Sequence, residues 1–462
     1  MIDDNYKTIH DNLHKYIQIS NFAVKFIDNP IFKRLQNLKQ LGLAYKVFLG
    51  ANHTRFEHSI GTYYLTGRLI NTINERTNNY DMNKYLQEIR LLDNYYDRND
   101  IKYRELDIYV KELIKIAGLC HDLGHGPFSH LFDDIIIPKL NDDPHIDKNL
   151  LKHEYRSCKL VELIWDNDPY LKENINYDEI KFIQSIINPP KDKQHFIYQI
   201  VSNNLNGLDV DKYDYINRDA YSLGMMEHTT DIYRLIDDIY VIDNKICYPK
   251  QAYMDILNLF NTRYNLHKHV YTHKTIVSIQ YLVLELMKNL DEYLDISDSL
   301  FDMNKFIDLD DNIILNYVKS IKNYMEKNNI YIPDKIKYCN KIINDIDNRN
   351  FHKVLSSIIS EKILKIKDNS FVKDNFIIHE NSLGFTSSNS NPLNDIYFYD
   401  KKKTNKYNIN NSCYNINLGD ITYLIPYKIK EFLTIIYLKN DSEIEIDENN
   451  INDFIYKHII DA

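Results

Sequence analysis

Residues 116–130 have the sequence Ile-Ala-Gly-Leu-Cys-His-Asp-Leu-Gly-His-Gly-Pro-Phe-Ser-His, and this stretch decides how the rest of the chain is interpreted. Its first half is apolar and predicts a buried helix. Its second half holds four side chains that can bind a metal or move a proton, namely His121, Asp122, His125 and His130. Imidazole together with carboxylate suits a divalent cation such as Fe, Mn, Mg, Zn or Ni.

The same stretch contains signals for where its helices end and begin. Gly124 and Gly126 are expected to end the first helix, and Pro127 is well placed to start the next one. His130 and Asp133 would then stand three residues apart on one face of that second helix. A carboxylate in this position could orient the imidazole and raise its basicity.

Further segments complete an ordered pattern. They are Arg55-Phe56-Glu57-His58, the stretch quoted above, His153-Glu154, and Asp209-Val210-Asp211-Lys212-Tyr213-Asp214-Tyr215. In this order they resemble the HD-domain deoxynucleoside triphosphate triphosphohydrolases. The resemblance runs from about Lys7 into the C-terminal part, where Asn391-Pro392 and Leu424-Ile425-Pro426 also fit. Vertebrate members of that family carry a SAM domain before the HD domain, and we expect none here.

The resemblance implies a metal site made by His58, His121, Asp122 and Asp211. Two imidazoles and two carboxylates hold a cation and leave positions free for water and phosphate oxygens. It also implies that water attacks the α-phosphorus and that triphosphate leaves intact. Taken alone, the pair at 121–122 would fit a polar helix end, and the acid-rich run around Asp211 would fit a solvated helix face.

The resemblance also implies roles for residues around the metal. We expect His130, oriented by Asp133, to give the leaving 5′ oxygen its proton. His125 and His153 match positions that line the phosphates, although both would also fit as second-shell or core histidines. The other matches are Arg55, Lys212 and Arg263 for phosphate contacts, Tyr215, Asp219 and Tyr271 for the sugar, and Gln40 and Leu41 for the sugar edge.

A nucleotide activator site is implied as well, and there the sequence departs from the family. Asp28, Arg234, Lys274 and Arg349 match activator positions, whereas Lys33, Gln36, Pro249 and Gln251 do not. Thr272 stands where close relatives carry Gln. We therefore expect a nucleotide-linked homo-oligomer, tetramer or dimer, in which GTP is no better an activator than other nucleotides.

Composition narrows the class of protein. The chain has 462 residues and a net charge of −10, which argues against broad binding of nucleic acid through bulk charge. Its five cysteines show no CxxC spacing, its N-terminus is polar, and no apolar run approaches the roughly 20 residues of a membrane span. These features predict a soluble intracellular protein without membrane contact.

The predicted fold is mainly α, with an HD-domain helical core and a smaller α/β C-terminal lobe. The expected boundaries are 1–295 for the core, with the motifs in about 55–215, and 296–462 for the lobe. Helices are predicted from Pro30 to Leu41, around His58, over 150–165 and over 250–290, with an exposed insertion over 78–104. Strands are predicted over 371–378, 396–399 and 435–438.

Two other functions fit the same residues. One is another HD phosphohydrolase, such as a nucleotide monophosphatase or phosphodiesterase, which would release a product other than intact triphosphate. The other is an inactive binder of nucleotides or single-stranded nucleic acid, a function that loss of a metal ligand would favour. All four expected ligands are present in the sequence.

Overall fold

The computed structural model describes residues 6–140, 147–190, 194–225, 230–386, 391–401, 413–416 and 430–461. Helices dominate these residues, so the prediction of a mainly α fold is confirmed. The first helices are α1 Asn21–Ile27, α2 Pro30–Lys33, α3 Arg55–Arg76, α4 Asn79–Leu86, α5 Asp93–Arg98, α6 Ile108–Cys120, α7 Ile137–Leu140, α8 His153–Asn167, α9 Pro169–Asn174, α10 Tyr177–Ile187, α11 Val210–Ser222 and α12 Ile232–Asp237. The later ones are α13 Tyr253–Leu266, α14 Lys274–Leu294, α15 Met303–Phe306, α16 Asp311–Lys327, α17 Asp334–Asp347, α18 Ser370–Asn375 and α19 Ile451–His458.

The strands form three small sheets among the described residues. They are β1 Tyr6–Asp11, β2 Lys15–Ser20, β3 Tyr240–Ile242, β4 Lys245–Pro249, β5 Lys353–Ser360, β6 Phe376–Gly384, β7 Tyr397–Tyr399 and β8 Lys430–Leu438. β1 and β2 make an antiparallel hairpin, β3-β4-β7 contains one parallel pair between β4 and β7, and β5-β8-β6 is antiparallel throughout.

Helices α3, α6 and α11 position the site. The side chain of Glu57 accepts a hydrogen bond from the backbone N–H of Thr54 at 2.8 Å, which fixes the start of α3. Asp107 caps α6 and Asp209 caps α11 in the usual way, each accepting from a backbone N–H in the first turn. α6 is buried along most of its length, as the apolar sequence before His121 predicts.

Two glycines allow these helices to approach closely. A Cβ on Gly118 of α6 would lie 2.3 Å from Thr66 Oγ1 of α3, and the Gly118 carbonyl accepts a hydrogen bond from Thr62 Oγ1 at 2.8 Å. A Cβ on Gly61 of α3 would lie 1.9 Å from Asp214 Oδ1 of α11. Because only glycine leaves this room, the end of α6 and the starts of α3 and α11 meet at one place.

The main apolar core does not stop at the predicted domain boundary. It extends from Ile17 to Ile416 and includes residues of α14, α16 and α17. A second cluster joins β6 and β8 to α18 and α19 through residues such as Phe376, Ile436 and Ile455. The division into 1–295 and 296–462 stays a prediction.

Three predicted elements have different limits in the structure. The helix at Pro30 ends at Lys33 and continues only as a 3-10 turn, because Leu38 is extended and Lys39 pairs with Thr54. The predicted helix over 250–290 is interrupted by a π-helix, His267–Tyr271, before α14 begins. Residues 370–375 form α18 instead of the start of a strand.

The prediction that the insertion over 78–104 is exposed is correct only in part. α4 buries Met82 and Leu86 in the main core, and α5 buries Tyr96. Most polar residues of the segment and Tyr80 stay exposed, so composition concealed an amphipathic pattern.

Candidate active site

The four predicted metal ligands converge where α3, α6 and α11 meet. His58 Nε2 lies 3.3 Å from His121 Nε2, and the Asp122 carboxylate lies 3.5 Å from the first nitrogen and 3.3 Å from the second. Asp211 Oδ1 lies 3.1 Å and 3.5 Å from the same two nitrogens. The first three side chains are buried, whereas that of Asp211 is 31% exposed, so the group is accessible from the α11 side.

The Nδ1 atoms of His58 and His121, which face away from the other ligands, show why these residues fit a cation. His58 Nδ1 lies 2.8 Å from Asp214 Oδ2, and His121 Nδ1 lies 2.8 Å from the Gly118 carbonyl oxygen. Since both partners are acceptors, both Nδ1 atoms carry a hydrogen, and the Nε2 atom of each ring is the one turned toward the other ligands. In the neutral state of the two rings, two lone pairs and two carboxylates, including that of Asp211, would face one cation.

The electrostatics show that the carboxylates attract positive charge to this place. Although burial lowers it, hydrogen bonds to Asp211 and Asp214 raise the pKa of His58 to about 10, so without a metal this imidazole holds a proton that a bound cation would replace. Burial raises the pKa of Asp122, but Arg55 and the adjacent imidazoles hold it well below its usual range. The group is therefore negative when its histidines are neutral, which suits a divalent metal.

A buried network supports His58 from behind. Asp214, which holds His58 Nδ1, also accepts from His14 Nε2 at 2.6 Å and from Arg218 Nε at 2.8 Å. Arg218 also donates to Asp11 at 2.8 Å. Asp11 is the last residue of β1, and His14 lies in the turn that follows it. This N-terminal hairpin therefore forms part of the support of the predicted metal site.

A second cluster lies beside the metal ligands. The rings of His125 and His153 stack with centroids 3.8 Å apart. Asp133 Oδ2 lies 3.0 Å from His125 Nδ1, off the hydrogen-bond axis, and 3.5 Å from His153 Nδ1, while Arg156 bonds Asp133 Oδ1. His125 Nε2 lies 3.3 Å from Asp122 Oδ1, which joins this cluster to the metal ligands.

The predicted contact of His130 with Asp133 is not formed as a hydrogen bond or ion pair, although a nitrogen of His130 and an oxygen of Asp133 lie within 4.8 Å of each other. Asp133 lies closer to His125 and His153, and the carboxylate within 4 Å of His130 is that of Asp134, at 3.9 Å. The His130 side chain is 67% exposed and its ring centroid lies 5.1 Å from that of His125. It therefore stands at the edge of the cluster.

The local backbone explains this difference. No α-helix begins at Pro127, because Phe128 and Ser129 have left-handed φ values of 61° and 60°. Residues Phe132–Ile136 then form a π-helix, whose wider turn moves residues three apart off a common face. Asp311 holds the unusual turn, with its Oδ1 2.6 Å from the backbone nitrogen of Phe128.

The sequence of this chain is similar to those of several known proteins. The sequence model of the HD domain family matches residues 55–176. The HD domain-containing protein L394 of Acanthamoeba polyphaga mimivirus is 39% identical over 406 residues, 84% of this chain and 84% of that protein. The deoxynucleoside triphosphate triphosphohydrolase SAMHD1 homolog of Dictyostelium discoideum is 33% identical over 457 residues, 95% of this chain and 78% of that protein. The chain belongs to the HD-domain deoxynucleoside triphosphate triphosphohydrolase family.

SAMHD1 of Homo sapiens is 29% identical over 491 residues, 94% of this chain and 71% of that protein.

In this HD-domain phosphohydrolase, one face of α11 forms a wall beside the metal ligands. Asp211, Tyr215 and Asp219 stand four residues apart and so share a face over about 12 Å. The Tyr215 hydroxyl lies 3.2 Å from Arg263 Nε, and the Tyr271 hydroxyl donates to Asp219 Oδ2 at 2.5 Å. The predicted sugar and phosphate residues of α11, of α13 and of the π-helix after α13 are thus adjacent, and their roles stay predictions.

The other predicted substrate residues are Arg55, Gln40, Leu41 and Lys212. Arg55 is buried, bonds Asp122 and Ser129 Oγ, and keeps its Nη2 atom without a partner among the described residues. Gln40 is also buried and its Oε1 atom has no described partner. Leu41, beside it, is half-buried, and Lys212 Nζ lies 3.1 Å from Asp209.

The four predicted activator residues lie on the surface. Asp28 contacts Lys7 and Lys33 at 3.6 Å and 3.5 Å, and Arg234 pairs with Asp255. Lys274 and Arg349 are exposed. Within the described part of the chain no hydrogen bond or ion pair joins any two of the four, so an activator site made by them stays a prediction. The matching segment Leu424-Ile425-Pro426 lies outside the described residues.

Several supporting residues carry no clear signal in the sequence. Asp214 stands in the acid-rich segment and could have been found from its spacing of three after Asp211. His14 and Arg156 could not, because each is a single residue far along the chain from its partner. Only the packing of β1–β2 and α8 against the ligand helices reveals them.

None of the helices in the described ranges is both long and apolar enough to cross a membrane. A cavity of about 880 Å³ opens between the end of α3 and the inserted helices α4 and α5, and it is lined by none of the predicted site residues.

Proposed function

We propose that this protein is a metal-dependent hydrolase that converts deoxynucleoside triphosphates into deoxynucleosides and inorganic triphosphate. The observation that carries the proposal is the convergence of His58, His121, Asp122 and Asp211 beside a histidine cluster. The family relatives that bear this activity in their names align with this chain over 94–95% of its length.

In the proposed reaction the cation activates the attacking water, and an acid protonates the leaving oxygen. A divalent cation held by the four ligands, whether Fe, Mn, Mg, Zn or Ni, would lower the pKa of a water and neutralise charge at the phosphorus. The water oxygen bonds to the α-phosphorus, and the bond between that phosphorus and the 5′ oxygen breaks. The 5′ oxygen takes a proton and leaves with the deoxynucleoside.

We assign the proton donor to His130. Its exposed imidazole stands at the edge of the cluster, where it can reach a leaving group, while His125 and His153 lie deeper and within 3.5 Å of Asp133. A positioned acid contributes roughly 10²–10⁴-fold to such a step. His125 and His153 then serve to line the phosphates.

Cations and hydroxyl-reading groups complete the pocket. A triphosphate carries about four negative charges, and Arg55, Lys212 and Arg263 supply positive charge near the metal ligands. The unpartnered Nη2 of Arg55 is available for a phosphate oxygen. Tyr215, Asp219 and Tyr271 would bind the sugar, with Gln40 and Leu41 beside its edge.

The test is direct product analysis. Purified protein incubated with each dNTP and Mn or Mg should release deoxynucleoside and intact triphosphate, resolved by anion exchange. In ¹⁸O-water the label should appear in triphosphate. Asp211→Asn should lose metal and turnover, whereas Asp178→Asn, a half-buried acid on α10 that bonds Asn94, should keep both.

Other products would identify the alternatives. Orthophosphate or a nucleoside monophosphate would indicate a different HD phosphohydrolase. Binding of nucleotide without any product, in protein shown to contain metal, would favour an inactive binder. Label in the deoxynucleoside would contradict attack at phosphorus.

A further inference from the structure

His53 contacts the carboxylate at the far end of the α11 wall. His53 Nε2 lies 2.7 Å from Asp219 Oδ1, and the Tyr271 hydroxyl donates to Asp219 Oδ2. The Asp219 side chain is 1% exposed and that of His53 is 8% exposed. One buried carboxylate is therefore held at both oxygens by two side chains from distant parts of the sequence.

The backbone of His53 is itself fixed. Its carbonyl accepts a hydrogen bond from the Gln40 nitrogen at 3.1 Å, and the next residue, Thr54, pairs with Lys39 before α3 begins. An imidazole on such a backbone can hold its partner in one orientation. His53 Nδ1 is buried and has no hydrogen-bond partner in the described structure, so the ring's described bond is the one to Asp219.

We propose that His53 is a positioning residue that sets the specificity of the site for a sugar 3′-hydroxyl through Asp219. This inference rests on the proposed function. A carboxylate has about four acceptor positions, and His53 and Tyr271 fill two of those of Asp219. The remaining positions accept a substrate hydroxyl only while the carboxylate is held in place.

Loss of this contact has a specific consequence. Without a donor at position 53, Asp219 Oδ1 is a buried acceptor without its partner, and the carboxylate can rotate or take up a water. A substrate with a 3′-hydroxyl loses a well-placed hydrogen bond, whereas a substrate without that group loses nothing. A purely structural role for His53 would instead affect both substrates equally.

The experiment compares dATP with 2′,3′-dideoxy-ATP by kcat/KM for triphosphate release. A site that binds a substrate hydroxyl through a buried carboxylate should favour dATP by roughly 10⁴-fold. His53→Phe, which keeps a ring without a donor, should lower kcat/KM for dATP by roughly 10- to 100-fold, the size of a charge-assisted hydrogen bond. The dideoxy substrate should change by less than about 3-fold, and His53→Gln, which retains a donor, should recover most of the preference.

The matched control is His195→Phe. His195 is similarly buried, but it bonds the Tyr85 carbonyl away from the site, so its loss should leave the preference unchanged. An equal loss for both substrates in His53→Phe, or an unchanged preference, would overturn the inference while leaving the proposed function intact. If the unaltered protein releases no triphosphate from dATP, the inference about His53 and the proposed function both fail. Should His53→Phe not fold, the comparison of His53→Gln with His53→Ala decides in the same way.

Discussion

At the scale of single residues, the site depends on which side chain holds which imidazole. His58 reaches the metal position only because Asp214 fixes its Nδ1 atom, and Asp214 is in turn held by His14 and Arg218. Partners of this kind orient a ligand and raise its basicity, although they never touch the metal. His14 is therefore expected to matter for metal binding.

His14→Ala should weaken metal binding by roughly 10- to 100-fold, the usual effect of losing such a partner. The measurement is metal content after dialysis against graded concentrations of Mn. His10→Ala on the same hairpin is the control, since His10 is exposed and outside this network. Equal metal affinity in the two variants would show that Asp214 holds His58 without help from His14.

The proton donor can be assigned by a second set of variants. His130→Ala should lower kcat by roughly 10²–10⁴-fold with a smaller effect on substrate binding. Asp133→Asn should resemble His153→Ala and not His130→Ala, because Asp133 contacts His125 and His153. Normal turnover in His130→Ala together with an inactive His153→Ala would reverse the two roles.

At the scale of elements, close helix contacts decide the site. α3 carries His58, and it approaches α6 and α11 through Gly118 and Gly61. The chain thus brings ligands from three distant segments together without any loop reaching across.

Gly61→Ala should separate α3 from α11. The added Cβ would lie 1.9 Å from Asp214 Oδ1, so the variant should lose roughly 1–3 kcal/mol of unfolding free energy and bind metal more weakly. Gly67→Ala on the same helix is the control, because its Cβ would meet only the flexible Lys115 side chain at 3.3 Å or more. Urea unfolding and metal titration measure both effects, and equal behaviour of the two variants would contradict the close-contact argument.

At the scale of the whole molecule, a residue far along the chain holds the turn at Phe128 and Ser129 beside the candidate active site. Asp311, at the start of α16, accepts hydrogen bonds from the backbone nitrogens of Phe128 and Lys39. It therefore joins the helices beyond the predicted boundary to the active site. Burial raises the pKa of Asp311 to about 7, against opposing backbone hydrogen bonds.

This raised pKa predicts a pH effect on stability. A carboxyl whose pKa is higher in the folded state contributes stability that is fully present below about pH 4 and is lost as the pH rises through about 7. Asp311→Asn lacks this titration. The difference in unfolding free energy between the unaltered protein and this variant should therefore shrink between pH 4 and 7. Thermal unfolding across that range measures it, with the exposed cap variant Asp302→Asn as the control. A constant deficit would contradict the prediction.

Assembly and activation also belong to this scale. We expect a nucleotide-linked homo-oligomer, because a ligand bound between subunits stabilises them by mass action. Lys33 contacts Asp28 directly, and with Gln36 it lacks the pattern expected for recognising guanine. Sedimentation and dATP turnover with and without GTP test this, and a strict GTP requirement for both would show the expectation to be wrong.

Much of the site could be predicted from the sequence because its ligands lie in short motifs. Segments such as 55–58 and 121–130 keep their chemistry within one helical turn or one loop, and the helices carrying His58 and His153 begin where their sequences indicate. The partner of Asp133 could not be predicted in this way, because the π-helix at 132–136 is not visible as a spacing.

The sequence by itself determined the mainly α fold, the family and the residue types that could hold a metal. These follow from local periodicity and from motifs whose members are close along the chain. Only the tertiary structure decided that His14 supports His58, that His53 holds Asp219 and that Asp311 holds the turn at Phe128. Each of these contacts joins residues more than 150 positions apart, and no local pattern records which distant helices will pack together.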